Sequence, residues 1–169
     1  MADSFSAIPN GSNLLIDTNI FVYGLTHKSA QCKALLERCS TEEITGITVF
    51  EVVHEATHDF MRGEARDKGL FTATEKGAKY LANHPDQVKI LTAYWVNTQR
   101  LLALNVLILP TEKNIVEVAQ TERLNAGLLT NDSVIVAAMR EYGISSIATN
   151  DHHFDAVAGI TVFSPSDLV

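Results

Sequence analysis

Five short apolar runs, at residues 13–16, 43–48, 105–109, 144–148 and 159–163, alternate with segments whose apolar residues recur at helical spacing. A strand that passes through a helix to the next strand returns in parallel by a right-handed crossover. The alternation therefore restricts the chain to a parallel sheet with helices on both faces. The expected fold is α/β, a three-layer αβα arrangement around a central parallel sheet of about five strands. The 169 residues suit a single domain spanning 1–169, with residues 61–103 as a helical insertion in its middle. In such a sheet the functional crevice lies beyond the carboxyl ends of the strands, where Asp17 and Asp151 both fall.

Punctuation places the helices. Residues 29–40 bring Cys32, Leu35, Leu36 and Cys39 to helical spacing, and residues 49–60 resume the period. Thr111 with Asn114 opens a helix that reaches about Leu124. Asn131 or Thr130 is the expected cap of a helix over 132–142, which Gly143 stops. Three glycines and mixed charge blur the pattern from 61 to 83, and Pro85 punctuates it. Beyond it Ile90, Leu91, Tyr94, Thr98, Leu101 and Leu102 share one helical face.

Composition narrows the class of molecule. With 46% hydrophobic and 20% charged residues and a mean hydropathy of +0.08, the chain has ample material for a core and reads as a soluble domain. No run approaches the roughly 18 apolar residues of a membrane span, and the polar start lacks the pattern of a secretory signal, so a cytoplasmic location is expected. Cys32 and Cys39 lie two helical turns apart, roughly 10 Å, which is too far for a disulfide and predicts buried thiols. The net charge is −7, but residues 60–100 carry seven cations against four acids, net +3, and the remainder is −10. Arg62, Arg66 and Lys68 in that span are the expected contacts to a polyanion.

Glu51 and Asp132 join Asp17 and Asp151 at the same edge, since each begins a helix there. Every one of these positions has an ordinary use for an acid, in a turn or at a helix start. Four carboxylates converging without a matching Arg or Lys repel one another and stay ionised only around a cation. An all-oxygen set suits Mg²⁺ or Mn²⁺, and such an ion suits hydrolysis of a phosphodiester.

The segments LLIDTNIFVYGL around Asp17, ITVFEVVHE around Glu51, LLTNDSVIVAAMREYGI around Asp132 and SSIATNDHHFDAVAGITVFSP around Asp151 resemble those of PIN-domain ribonucleases. The likeness is greatest to the VapC-type toxins of toxin–antitoxin pairs. It covers most of the first 60 and last 65 residues in the family's order, whereas the middle matches weakly and is longer than in a minimal member.

The resemblance implies a PIN-like fold and a Mg²⁺- or Mn²⁺-dependent endoribonuclease that leaves a 5′-phosphate and a 3′-hydroxyl. Asp17, Glu51, Asp132 and Asp151 would be its acidic quartet, with Asn19 and Thr149 as polar helpers and Asp155 as an extra acid extending the cluster. RNA is the implied substrate, with a small antitoxin and a second copy of the chain as partners. A housekeeping RNA-processing nuclease without an antitoxin, or a module that kept the fold but not turnover, are the alternatives within the family.

The rival motif is His54-Glu55-Ala56-Thr57-His58, a literal H-E-x-x-H, which on a helix presents two imidazoles to zinc and a glutamate base for peptide hydrolysis. Against it, Asp59 follows directly, the third-ligand candidates are only Glu64 and Glu75, and the alternating pattern is not that of zinc proteases. His54 and His58 are instead expected at the rim of the acidic site, because 51, 54, 55 and 58 share a helical face. His152 and His153 lie between the acids, but imidazole is not the usual partner of Mg²⁺. On this reading Glu51→Gln removes nuclease activity and Glu55→Gln leaves most of it.

Overall fold

In the computed structural model, which describes residues 2–72 and 76–168, the strands pair into a six-stranded, wholly parallel sheet. The strands are β1 (Asp3–Ser4), β2 (Asn13–Ile16), β3 (Thr45–Val49), β4 (Val106–Leu109), β5 (Ser146–Ala148) and β6 (Thr161–Ser164). Their order is β1-β6-β5-β2-β3-β4. Five coincide with the expected runs within a few residues. The sixth, β1, is two exposed polar residues paired with β6, too short and too polar to leave a hydrophobic signal.

The order reverses between β2 and β5. From β2 the chain winds outward through β3 and β4, whereas β5 and β6 add on its other side. Crevices open at such reversals, above the carboxyl ends of the flanking strands. Leu14, Leu15, Ile16, Ile147 and Ala148 are completely buried, which makes this junction the rigid centre of the molecule.

The helices are α1 (Thr18–Leu25), α2 (Ala30–Ser40), α3 (Phe50–Asp67), α4 (Gly77–Asn83), α5 (Pro85–Lys89), α6 (Ala93–Leu102), α7 (Lys113–Ala126) and α8 (Thr130–Glu141). Three depart from expectation. The helix expected to end near Phe60 runs on to Asp67, because Phe60, Glu64 and Ala65 keep burying the same stripe and the open surroundings of Gly63 tolerate it. Pro85 does not break a helix but starts one, at the position where its missing N–H costs nothing. Neither Asn131 nor Thr130 caps α8: the helix already begins at Thr130 after Leu129, with no side-chain cap. Of the apolar face over 90–102, Leu91, Thr98 and Leu101 are buried, while Ile90 and Leu102 stay half exposed.

Cys32 and Cys39 are free and buried in α2, where loss of water pushes both thiols up to about 11. The middle of the chain carries its own small apolar cluster of Ala65, Phe71, Leu81 and Leu91, apart from the main core. Glu64 ties this part to α6, accepting the N–H groups of Thr92 and Tyr94 at 2.9 Å each. No helix among the described residues is long and apolar enough to cross a membrane.

Candidate active site

Asp17 leaves β2 directly at the β2/β5 reversal and is 6% exposed. Its Oδ1 accepts the N–H of Thr18 at 2.7 Å, fixing the start of α1. Its Oδ2 accepts the Asn19 amide and the Thr149 hydroxyl, each at 2.6 Å. Thr149 in turn accepts the N–H of Asp151 at 2.9 Å, and the Asn19 carbonyl accepts the N–H of Asn150 at 2.8 Å. The ends of β2 and β5 are thereby stitched into one rigid floor, and Asn19 and Thr149 both orient Asp17.

Around this floor stand three further carboxylates. Asp132 rises from the first turn of α8, half-buried; Asp151 follows β5; and Glu55, from α3, accepts the Thr18 hydroxyl at 3.2 Å. Oxygens of Asp132 and Asp151 and a ring nitrogen of His153 lie within 4.8 Å of one another, the single group of three or more metal-ligating side chains at that spacing among the described residues. His153 Nδ1 is 3.0 Å from Asp151 Oδ1, an atom that also accepts the His153 N–H at 2.9 Å.

The electrostatics record the crowding. Burial pushes the Asp17 carboxyl up to about 6, against the hydrogen bonds from Thr149 and Thr18, and the charges of Glu55 and Asp132 push it further. Asp132 is also raised, by burial first and then by the charge of Asp151, with His153 opposing and Glu55 adding. Among the described residues no Lys or Arg pairs with Asp17, Glu55, Asp132 or Asp151; the ion pair at the site is that of His153. Mutual repulsion with no Lys or Arg to relieve it, and only His153 opposing it, is the charge pattern that a divalent cation neutralises, and oxygen donors fit a hard ion.

Two expected members have other partners. Glu51 lines the neighbouring cavity and accepts a short hydrogen bond from Thr111, in the loop after β4. Asp155 turns toward His152, its Oδ2 3.6 Å from the ring, and is not part of the Asp132–Asp151–His153 group. The sequence reading gave the site's glutamate to Glu51 and set Glu55 and His153 aside, Glu55 as part of the H-E-x-x-H motif and His153 as an imidazole unsuited to Mg²⁺. Glu55 lies one helical turn after Glu51, on the same face.

The described geometry lends the zinc alternative no support. His54 and His58 are exposed on α3 and belong to no three-ligand group among the described residues. Glu64, one expected third ligand, is spent on the backbone of α6. Glu75, the other, lies outside the described residues.

The basic residues also divide. Arg62 and Arg66 line a cavity of about 600 Å³ with Lys76, and the buried Arg62 Nε has no partner among the described residues while Nη1 holds Asp59 at 2.8 Å. Lys68 instead reaches Glu64 at 3.7 Å and lines a different cavity.

Residues 14–160, which carry the buried Asp17 and the acids around it, match the model of the PIN domain. The chain belongs to the PIN domain family. Among solved structures it is similar to VapBC2 of Rickettsia felis, bound to a DNA fragment from its promoter, with 14% identity, a TM-score of 0.59, and 91% of this chain and 99% of that one covered. It is also similar to VapC20 of Mycobacterium tuberculosis, a toxin that cleaves the sarcin–ricin loop, with 14% identity, a TM-score of 0.57 and coverage of 86% and 95%. A toxin–antitoxin complex from Klebsiella pneumoniae aligns at 17% identity with a TM-score of 0.55, covering 87% and 94%. No curated protein sequence matches this chain significantly.

Proposed function

We propose that this protein is a divalent-metal-dependent endoribonuclease and the toxin of a type II toxin–antitoxin pair. The observation that carries the reading is the convergence of Asp17, Glu55, Asp132 and Asp151 on one crevice with no Lys or Arg paired to them among the described residues. The likeness to VapC20 and to two toxin–antitoxin assemblies supports RNA as the substrate and a small antitoxin as partner.

Asp132 and Asp151 are the side chains best placed to hold Mg²⁺ or Mn²⁺, with Asp17 beneath them. A divalent cation there supplies two things: a lowered pKa for attacking water and neutralisation of charge building on the phosphate. His153 orients Asp151 through Nδ1. Asn19 and Thr149 hold Asp17 in one rotamer, so that its charge is aimed before substrate arrives. Glu55 is exposed, lines the cavity and is anchored through Oε2 by Thr18; the role assigned to it is to take a proton from water. Glu51 is a wall residue held by Thr111.

Arg62 and Arg66, with Lys76 in the place first expected of Lys68, form the surface suited to RNA phosphates. Arg66 stands eleven residues beyond Glu55 on α3, roughly 16 Å along the helix. The direct test is incubation of the purified chain with single-stranded RNA. Cleavage is expected with Mg²⁺ or Mn²⁺ and none with EDTA or in Asp17→Asn; cleavage in EDTA would sink the proposal.

A further inference from the structure

The first turns of α3 present a surface that the acidic cluster does not use. Phe50 follows β3 immediately and is 56% exposed, although a phenyl ring gains by leaving water. Its ring lies 5.3 Å from that of His54, tilted by 44°. Together they line a cavity of about 610 Å³ with Glu51, Glu55, His58 and Asn131. Two of these residues tie the cavity to the acidic site: Glu55 also holds Thr18 beside Asp17, and Asn131 directly precedes Asp132. Asn131 is exposed, and its side-chain amide carries both donors and an acceptor for a ligand.

We infer that this cavity is a nucleobase subsite, which takes the base beside the scissile phosphate, stacks it on Phe50 and reads its edge with Asn131. The inference rests on the ribonuclease reading and deepens it. A phosphate is disfavoured here, because Glu51 and Glu55 put negative charge on the wall. A neutral flat base is not repelled, and its π-face finds an aromatic ring of matching shape. His54 adds a second ring beside Phe50, tilted against it. Cleavage then depends on a base seated within reach of the cluster.

The test compares wild type with Phe50→Ala, Phe50→Leu and Phe50→Trp. Two readouts are used: steady-state cleavage of short RNAs that differ only in the base beside the cut, and fluorescence of 2-aminopurine placed at that base, read in EDTA so that no cleavage occurs. Phe50→Ala is expected to raise KM by about tenfold with kcat little changed, to level the preference among bases, and to abolish the stacking quench of 2-aminopurine. Phe50→Leu restores apolar bulk but not stacking and is expected to resemble Phe50→Ala, whereas Phe50→Trp retains preference and quench. Leu matching wild type in both readouts, or a quench unchanged in Phe50→Ala, would overturn the subsite. Absence of cleavage from every protein, with a quench that still follows the aromatic ring, would instead overturn the nuclease reading and leave the subsite standing.

Discussion

At the scale of single residues, the site is governed by how a buried carboxylate is kept charged. Asp17 titrates near 6 when folded, against 3.8 for an ordinary aspartate, so the folded chain holds this proton more tightly than the unfolded one. In that case stability without a cation is greatest below the ordinary value, and it falls as pH rises through the interval up to the folded value. At 1.36 kcal/mol per unit the loss is roughly 3 kcal/mol. Asp132, also raised, acts in the same direction. The urea midpoint in EDTA is therefore expected to be lower at about pH 7 than at about pH 5, and Asp17→Asn should flatten that dependence; a wild-type midpoint that rises with pH would contradict the account. The two glutamates of α3 give a second residue-scale prediction. Glu55→Gln should slow RNA cleavage by about a hundredfold or more, and Glu51→Gln should leave most of it, the reverse of what the sequence alone suggested. Equal losses in both would mean that Thr111 does not hold Glu51 out of the chemistry.

Among elements, α3 links the acidic site to the middle of the chain. Glu64 sits on it, 8% exposed, and accepts backbone N–H groups at the start of α6. Burial works against its charge, but the N–H groups of Thr92, Tyr94 and Ala93, with Lys68, outweigh it and hold the carboxyl below its ordinary value. A lowered folded value means stability that is present above the ordinary carboxylate range and lost as pH falls through the folded value. Glu64→Ala strands those donors and is expected to lower stability by about 1–3 kcal/mol at neutral pH, with a smaller difference in acid. Chemical denaturation at two pH values checks this; an unchanged midpoint would show that α6 does not depend on the tie. The same helix shows how much could be read beforehand. Strand ends announced Asp17 and Asp151, and the helix start at Asp132 was visible from its apolar period. Nothing local separates Glu51 from Glu55, because they share a face. Burial of Val52, Val53, Ala56 and Phe60 against the core sets the rotation of α3, and that long-range packing sends one acid to Thr111 and the other to Thr18. The length of α3 and the two-residue β1 were hidden for a related reason, since tertiary contacts and not local pattern decide them.

Over the whole molecule, function follows from where the strand order reverses. The β2/β5 junction supplies a rigid floor, α3 and α8 bring acids over it, and the far end of α3 brings Arg62 and Arg66 beside Lys76. A chain of net charge −7 thus separates an acidic centre from a basic end along one helix, which fits a polyanion that must be both held and cut. The central claim is that one divalent-cation site at Asp17, Asp132 and Asp151 serves both stability and RNA cleavage. It is tested most directly by titrating metal-stripped protein with Mn²⁺ while recording thermal stability and the rate of RNA cleavage, for wild type and Asp132→Asn. Binding to the folded state alone stabilises by about 2.7 kcal/mol at a hundredfold excess over Kd, a gain visible as a rise in Tm. The account predicts that both signals rise with a common midpoint in wild type and that neither rises in Asp132→Asn. Cleavage by Asp132→Asn at the wild-type rate, or cleavage that needs no metal, would contradict it.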